Sequence, residues 1–367
     1  MSFDAARLAA RSVEVILEHQ APSGAYPAAP TPTEYRNCWL RDGAFIADGM
    51  SRAGAVDSAD AFFAWCARLV LRRRARIEDL VGRRRRGETI LPEEHLECRY
   101  TLEGEKVPGE WPSFQLDGYG AWLWALGAHA GRHERDVSTF AEAVELTLAY
   151  VSAFALDPTY DWWEERLGQH SVSLAAVQAG LAVGGRLPFV ERTLRDETSD
   201  RSHEVRAAIR DDAGRRGRLA RTLGADELDG SLVACSTPFR ALAPDDPHVA
   251  ATVAALEGQL AHEGVHRYGG DTYYGGGEWI LLAALLGWHY AETGREADAR
   301  RQLDWIVAHA DERGELPEQV ADHVLAPECL PVWEQRWGPA AHPLLWSHAM
   351  LLSLVDALGA GDRRCRT

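Results

Sequence analysis

Residues 267–294 read RYGGDTYYGGGEWILLAALLGWHYAETG: a polar, glycine-rich run, then apolar residues at helical spacing from about 278 onward. The same arrangement recurs upstream. YRNCWLRDG (35–43) opens a helix-spaced segment near 40–53, WPSFQLDGYG (111–120) opens one near 117–131, and YDWWEERLGQHS (160–171) precedes one near 171–183. Further apolar periodicity of the helical kind lies near 4–20, 58–75, 137–154, 188–212, 249–263, 297–310 and 342–358, with a weaker segment around 230–242. Convincing alternating strands are absent. Twelve segments in 367 residues leave about thirty residues per helix and loop, which fits six consecutive helical hairpins. The expected fold is therefore all-α, a double ring of alternating outer and inner helices. The four polar runs all precede even-numbered helices, which run in one direction in such a ring, so their N-terminal ends gather at one rim and can share a pocket.

Composition excludes several functions. Hydrophobic residues make up 46% of the chain and it has thirteen Trp, enough for one large core or two moderate ones. A net charge of −16 speaks against nucleic acid, whose phosphates need a basic face. The one basic block, Arg83–Arg86, reads as a solvated loop between helices, with an anion patch as the alternative. No apolar stretch reaches the length of a membrane span, and the N-terminus reads as an amphipathic helix instead of a signal peptide. The expected location is cytoplasmic, with no membrane partner. Six scattered cysteines (Cys38, Cys66, Cys98, Cys235, Cys329, Cys365) suit reduced thiols better than a disulfide framework. His170, His323 and His348 lack a second ligand at i+3 or i+4, so no metal and no cofactor are expected. The irregular stretches 76–116 and 311–341 are long enough to expect function in them.

Two glutamates carry the chemistry. In YDWWEE, Glu164 and Glu165 cannot point the same way from a loop, so one can reach a scissile oxygen while the other bonds a neighbouring hydroxyl. Trp162 and Trp163 offer faces for a sugar ring, and nearby indoles would desolvate a carboxyl and raise its pKa, as a general acid requires. The alternative is a surface turn with two solvated acids. Glu318, after Pro317, has Gln319 beside it to orient it or a water, although alone PEQ reads as an exposed loop. Arg41 and Asp42 form a donor–acceptor pair suited to vicinal hydroxyls, or an ordinary helix start, with Trp39 packing behind. Arg267 and Asp271, flanked by tyrosines and Gly275–Gly277, look like a glycine-permitted loop against a ring. The glycines follow no strand and make no dinucleotide loop, and no GxSxG elbow is present.

In order, WLRD, WPSFQLDG, YDWWEE, RYGGDTYYGG followed by EW, LPEQ and PLLWSHA resemble glycoside hydrolase family 15, the glucoamylases and their bacterial relatives, over about residues 35–349. The resemblance implies an (α/α)6 barrel and inverting, exo-acting hydrolysis that releases β-D-glucose from the non-reducing end of α-glucosides. It implies Glu164 as general acid and Glu318 as general base. Arg41, Asp42 and Arg267 would bind sugar hydroxyls, Glu165 the leaving-group side, and Trp111, Trp163 and Trp279 would form aromatic walls, with the Trp162 carbonyl on the sugar. The chain departs from the family in two places. The barrel helices begin almost at Met1, so a single catalytic domain over 1–367 with no accessory β-domain is expected, and the stretch after Gln319 lacks the usual acidic, glycine-containing continuation. Short α-1,6 or α-1,4 gluco-oligosaccharides of the isomaltose or maltose type are the expected substrates. A trehalase, an inverting disaccharide phosphorylase and a non-catalytic sugar-binding barrel are the alternatives; the oligomeric state is not legible.

Overall fold

The computed structural model describes residues 3–364, with side chains to 359; Cys365 lies outside the described residues. Its helices are α1 (Ala5–His19), α2 (Leu40–Arg52), α3 (Val56–Arg72), α4 (Arg74–Arg85), α5 (Asp117–His133), α6 (Ala141–Phe154), α7 (Ser171–Gly184), α8 (Arg192–Arg216), α9 (Pro247–Gln259), α10 (Ile280–Glu292), α11 (Glu296–Ala308), α12 (Leu330–Trp337) and α13 (Leu345–Arg364). An inner ring closes on itself. Helix α2 packs on α5, α5 on α7, α7 on a short 3-10 helix at Gly230–Cys235, that segment on α10, α10 on α13, and α13 back on α2. Outside it, α1 lies on α13, α3 on α2, α6 and α8 on α7, α9 on the 3-10 segment and α11 on α10. This is the expected (α/α)6 barrel.

Burial follows the ring. Every residue of α10 from Ile280 to Tyr290 is buried, because neighbours cover it on all sides, whereas α8 buries only the stripe Thr198, Ser202, Val205, Ile209 and Asp212–Ala213. Backbone contact sets the tightest inner pair: a Cβ on Gly120 of α5 would sit 2.4 Å from the Ala176 carbonyl oxygen, and one on Gly180 of α7 would sit 2.5 Å from that of Gly120. The barrel axis is filled with aromatic rings. Phe45 stacks on Trp346 at 5.1 Å and touches Trp124, Trp162 and Phe239.

The structure corrects the expected map in four places. The weak segment at 230–242 is helical only over Gly230–Cys235, in 3-10 form, with Asp229 capping the Ser231 N–H at 2.8 Å. The supposedly irregular 76–116 begins with α4, so Arg83–Arg85 form a last helical turn, where cations suit the helix dipole; Arg83 pairs with Glu88 and Glu94 and Arg84 with Asp157. The other irregular stretch contains α12. Among the described residues there are also six strands of two residues each, too short for alternation to show: β1 (Cys38–Trp39) pairs with β2 (Arg99–Tyr100), β3 (Thr159–Tyr160) with β4 (Leu167–Gly168), and β5 (Glu278–Trp279) with β6 (Gln319–Val320), all antiparallel. Cys38, Cys66, Cys98, Cys235 and Cys329 are free thiols. No helix among the described residues is long and apolar enough to cross a membrane.

Candidate active site

At the rim where the inner helices begin, a cavity of about 380 Å³ opens. Arg41, Asp42, Trp111, Trp162, Trp163, Glu164, Glu165, Arg267, Trp279 and Glu318 all line it, so the structure brings together every site residue expected from the sequence. That volume falls within the range of small-molecule pockets.

The β3–β4 hairpin carries Glu164 and Glu165. Its loop is tied by Asp161, whose Oδ1 accepts from the Glu165 N–H at 2.8 Å and the Arg166 N–H at 3.2 Å, while Glu164 takes a left-handed φ of 63°. Buried Arg221 anchors this loop from below. It donates to Asp161, reaches Glu165 at 3.0 Å and lies 3.5 Å from Asp229, which in turn holds the Trp163 indole N–H at 2.7 Å. The opposed charges keep Asp161 below the usual carboxylate range even though its burial pushes the other way.

Indoles meet Glu164 differently from the expectation. Trp39 Nε1 donates to Oε1 at 2.8 Å, Trp111 Nε1 to Oε2 at 3.0 Å, and Gln115 Nε2 to Oε1 at 2.8 Å. Ring edges with their N–H groups face the carboxyl, where apolar faces were expected. Donors held at those oxygens stabilise the carboxylate left after a proton departs. Gln115 also bridges to Arg41, accepting at 2.8 Å, and Arg41 further binds Asp117 at 2.8 Å and the Trp162 carbonyl at 2.9 Å. That carbonyl therefore already serves the Arg41 guanidinium.

Glu318 lines the same cavity, between Leu316 and β6. Its N–H donates to the Ala341 carbonyl at 2.9 Å, and Ser347 of α13 holds the Pro317 carbonyl at 2.8 Å. Oε1 accepts from the Tyr35 hydroxyl at 2.9 Å, and Oε2 has no partner among the described residues. Burial pushes this carboxyl up to about 7, against the lowering pull of the Tyr35 hydroxyl and Arg267. Burial likewise raises Asp42 to about 7, with Arg41 opposing and Glu164 adding to it. Gln319 does not orient Glu318: its Oε1 accepts from the Gly277 N–H at 3.0 Å, because the β5–β6 pairing turns successive side chains to opposite sides.

Arg267 grips Asp271 through both Nε (2.7 Å) and Nη2 (2.6 Å) and lies over the rings of Trp163, Tyr273 and Trp279. The histidines are structural or peripheral. His348 bonds Ser12 at 2.8 Å and accepts from the Leu316 N–H at 3.0 Å, and burial pushes it down to about 3; His170 bonds Thr222 and the Arg166 carbonyl; His323 approaches Glu278. Sequence reasoning missed Tyr35 and Gln115, although both lie inside motifs it singled out. Arg221 and α12 carried no motif at all.

Comparison with known proteins agrees with this geometry. The family described as Glycosyl hydrolases family 15 matches residues 4–301, a range that stops short of Glu318. An isomaltose glucohydrolase from Kribbella flavida is 44% identical over 356 residues, covering 96% of this chain and 92% of its own. A glycosidase variant solved in complex with glucose superposes with a TM-score of 0.94 at 42% identity, covering 97% of both chains. A bacterial glucoamylase complexed with acarbose shares the fold at a TM-score of 0.74 and 17% identity, over 97% of this chain and 56% of its own.

Proposed function

The chain belongs to glycosyl hydrolase family 15 and is an exo-acting α-glucoside hydrolase, and we propose that it inverts the anomeric centre with Glu164 as general acid and Glu318 as general base. One observation supports the pairing: two glutamates far apart in sequence line one aromatic cavity. A terminal glucose would enter floor-first, its outer hydroxyls on Arg41 and Asp42. Glu164 would then give its proton to the glycosidic oxygen while Glu318 takes one from a water at the far ring face, so that β-D-glucose leaves. A carboxyl pushed up to about 7 is a stronger proton acceptor than an ordinary glutamate, and its partnerless Oε2 is the atom for that water.

The similarity to the isomaltose glucohydrolase makes isomaltose the first substrate to try, with other short α-1,6 and α-1,4 oligosaccharides after it. Proton NMR of fresh product from isomaltose checks both points, with the β-anomer expected first. The α-anomer first would overturn inversion. A panel that includes trehalose and maltose, run with and without phosphate, separates the rivals. Trehalose as the preferred substrate, or strict phosphate dependence, would replace this reading by trehalase or phosphorylase.

A further inference from the structure

The stretch 321–341 contributes the outer wall of the cavity. Trp333, Arg336 and Trp337 of α12 all line it, although α12 packs chiefly on the 3-10 turns at Tyr273–Gly275 and Pro327–Cys329 instead of on the barrel. Its seat is made by the glycine triplet. A Cβ on Gly275 would stand 3.3 Å from the Ala326 carbonyl and 3.4 Å from Leu330 Cβ, one on Gly276 would stand 2.3 Å from the Asp271 carbonyl, and all three positions would press on neighbouring chain. The Ala326 N–H bonds the Gly275 carbonyl at 2.9 Å, and the Tyr274 hydroxyl holds the Gly338 carbonyl at 2.9 Å at the far end of the helix.

Position then gives direction. Arg41 and Trp346, at the floor, are 5% exposed, whereas Trp337 at the mouth is 36% exposed. The edge-on contact of Trp333 with Tyr273, at 4.9 Å, continues the aromatic wall outward from Arg267, which lies over the same Tyr273 ring. The guanidinium of Arg336 lies 5.2 Å from the Trp337 ring and 5.8 Å from that of Trp333, and has no carboxylate partner among the described residues. Two indole faces and an uncommitted five-donor fork suit a sugar: its C–H face stacks on the rings and its hydroxyls accept from the arginine.

We infer that α12 is the specificity element for the leaving group, and that Trp333, Arg336 and Trp337 bind the sugar unit beyond the scissile bond. This rests on the proposed function, in which the terminal glucose occupies the floor. In an α-1,6 linkage the extra carbon between the rings carries that second unit further toward the mouth, where α12 stands.

The experiment compares isomaltose with α-glucosyl fluoride, whose leaving group is too small to touch α12. For Trp333→Ala, the ratio of kcat/KM on isomaltose to kcat/KM on the fluoride is expected to fall about tenfold, and for Arg336→Ala about threefold. A ratio unmoved in both variants would overturn the assignment, since a purely structural helix depresses both substrates together. Thermal melts of both variants check that the barrel is intact. Failure of the unaltered protein to hydrolyse either substrate would instead sink the proposed function.

Discussion

Glu164 and Glu318 face one cavity from walls built in different ways. The first hangs from a hairpin loop pinned by a buried arginine and receives three N–H donors; the second is buried at 3% exposure and receives one phenolic hydroxyl. Desolvation has therefore lifted Glu318 to about 7. Two side chains of one type thus meet different surroundings: N–H donors at Glu164, and burial with a single phenolic hydroxyl at Glu318.

The largest effect tests that division directly. Glu164→Gln and Glu318→Gln should each lower kcat on isomaltose by roughly two to four orders of magnitude. On α-glucosyl fluoride, whose leaving group needs little protonation, Glu164→Gln should lose far less than Glu318→Gln. Equal losses on the fluoride would erase the difference between the walls.

Next comes the anchor of the first wall. Arg221→Ala would leave Asp161 and Asp229 buried without their cation, and urea denaturation should show a loss of about 3–5 kcal/mol. The second wall should respond in the opposite direction. Glu318 binds its proton more tightly folded than unfolded, so the stability it contributes is complete below its ordinary value of 4.5 and is lost as pH rises through about 7. Glu318→Gln should accordingly be more stable than the unaltered protein at pH 8, by on the order of 3 kcal/mol, with the gap closing toward pH 4. A gap independent of pH would contradict the raised carboxyl.

The smallest effect is on the pH profile. The base must be ionised, so kcat/KM should fall on the acid side with a midpoint near 7. Tyr35→Phe removes a donor that favours the anion and should move that limb to higher pH.

Much of this was legible in the chain because inner helices announce themselves. Segments such as Ile280–Trp288 are apolar throughout and preceded by polar runs, and the ring order followed from spacing. Helix α4 escaped notice because it buries only Ile77, Leu80 and Val81 and ends in arginines. Helix α12 escaped because Pro327 and Pro331 interrupt any periodicity and none of its residues is fully buried. The glutamates were found through their tryptophan-rich and proline-flanked contexts. What surrounds them was not, because Tyr35 and Arg221 act across long sequence separations, from loops without repeat or period.

The aromatic plug on the barrel axis has a last consequence. Trp162 and Trp346 line the inner end of the cavity, and Phe45, Trp124 and Phe239 pack behind them along the barrel axis. With the inner end closed by rings, the proposed mechanism has each freed glucose leave through the side where the second sugar unit stood, so it predicts release after every cut and competition between product and the next substrate.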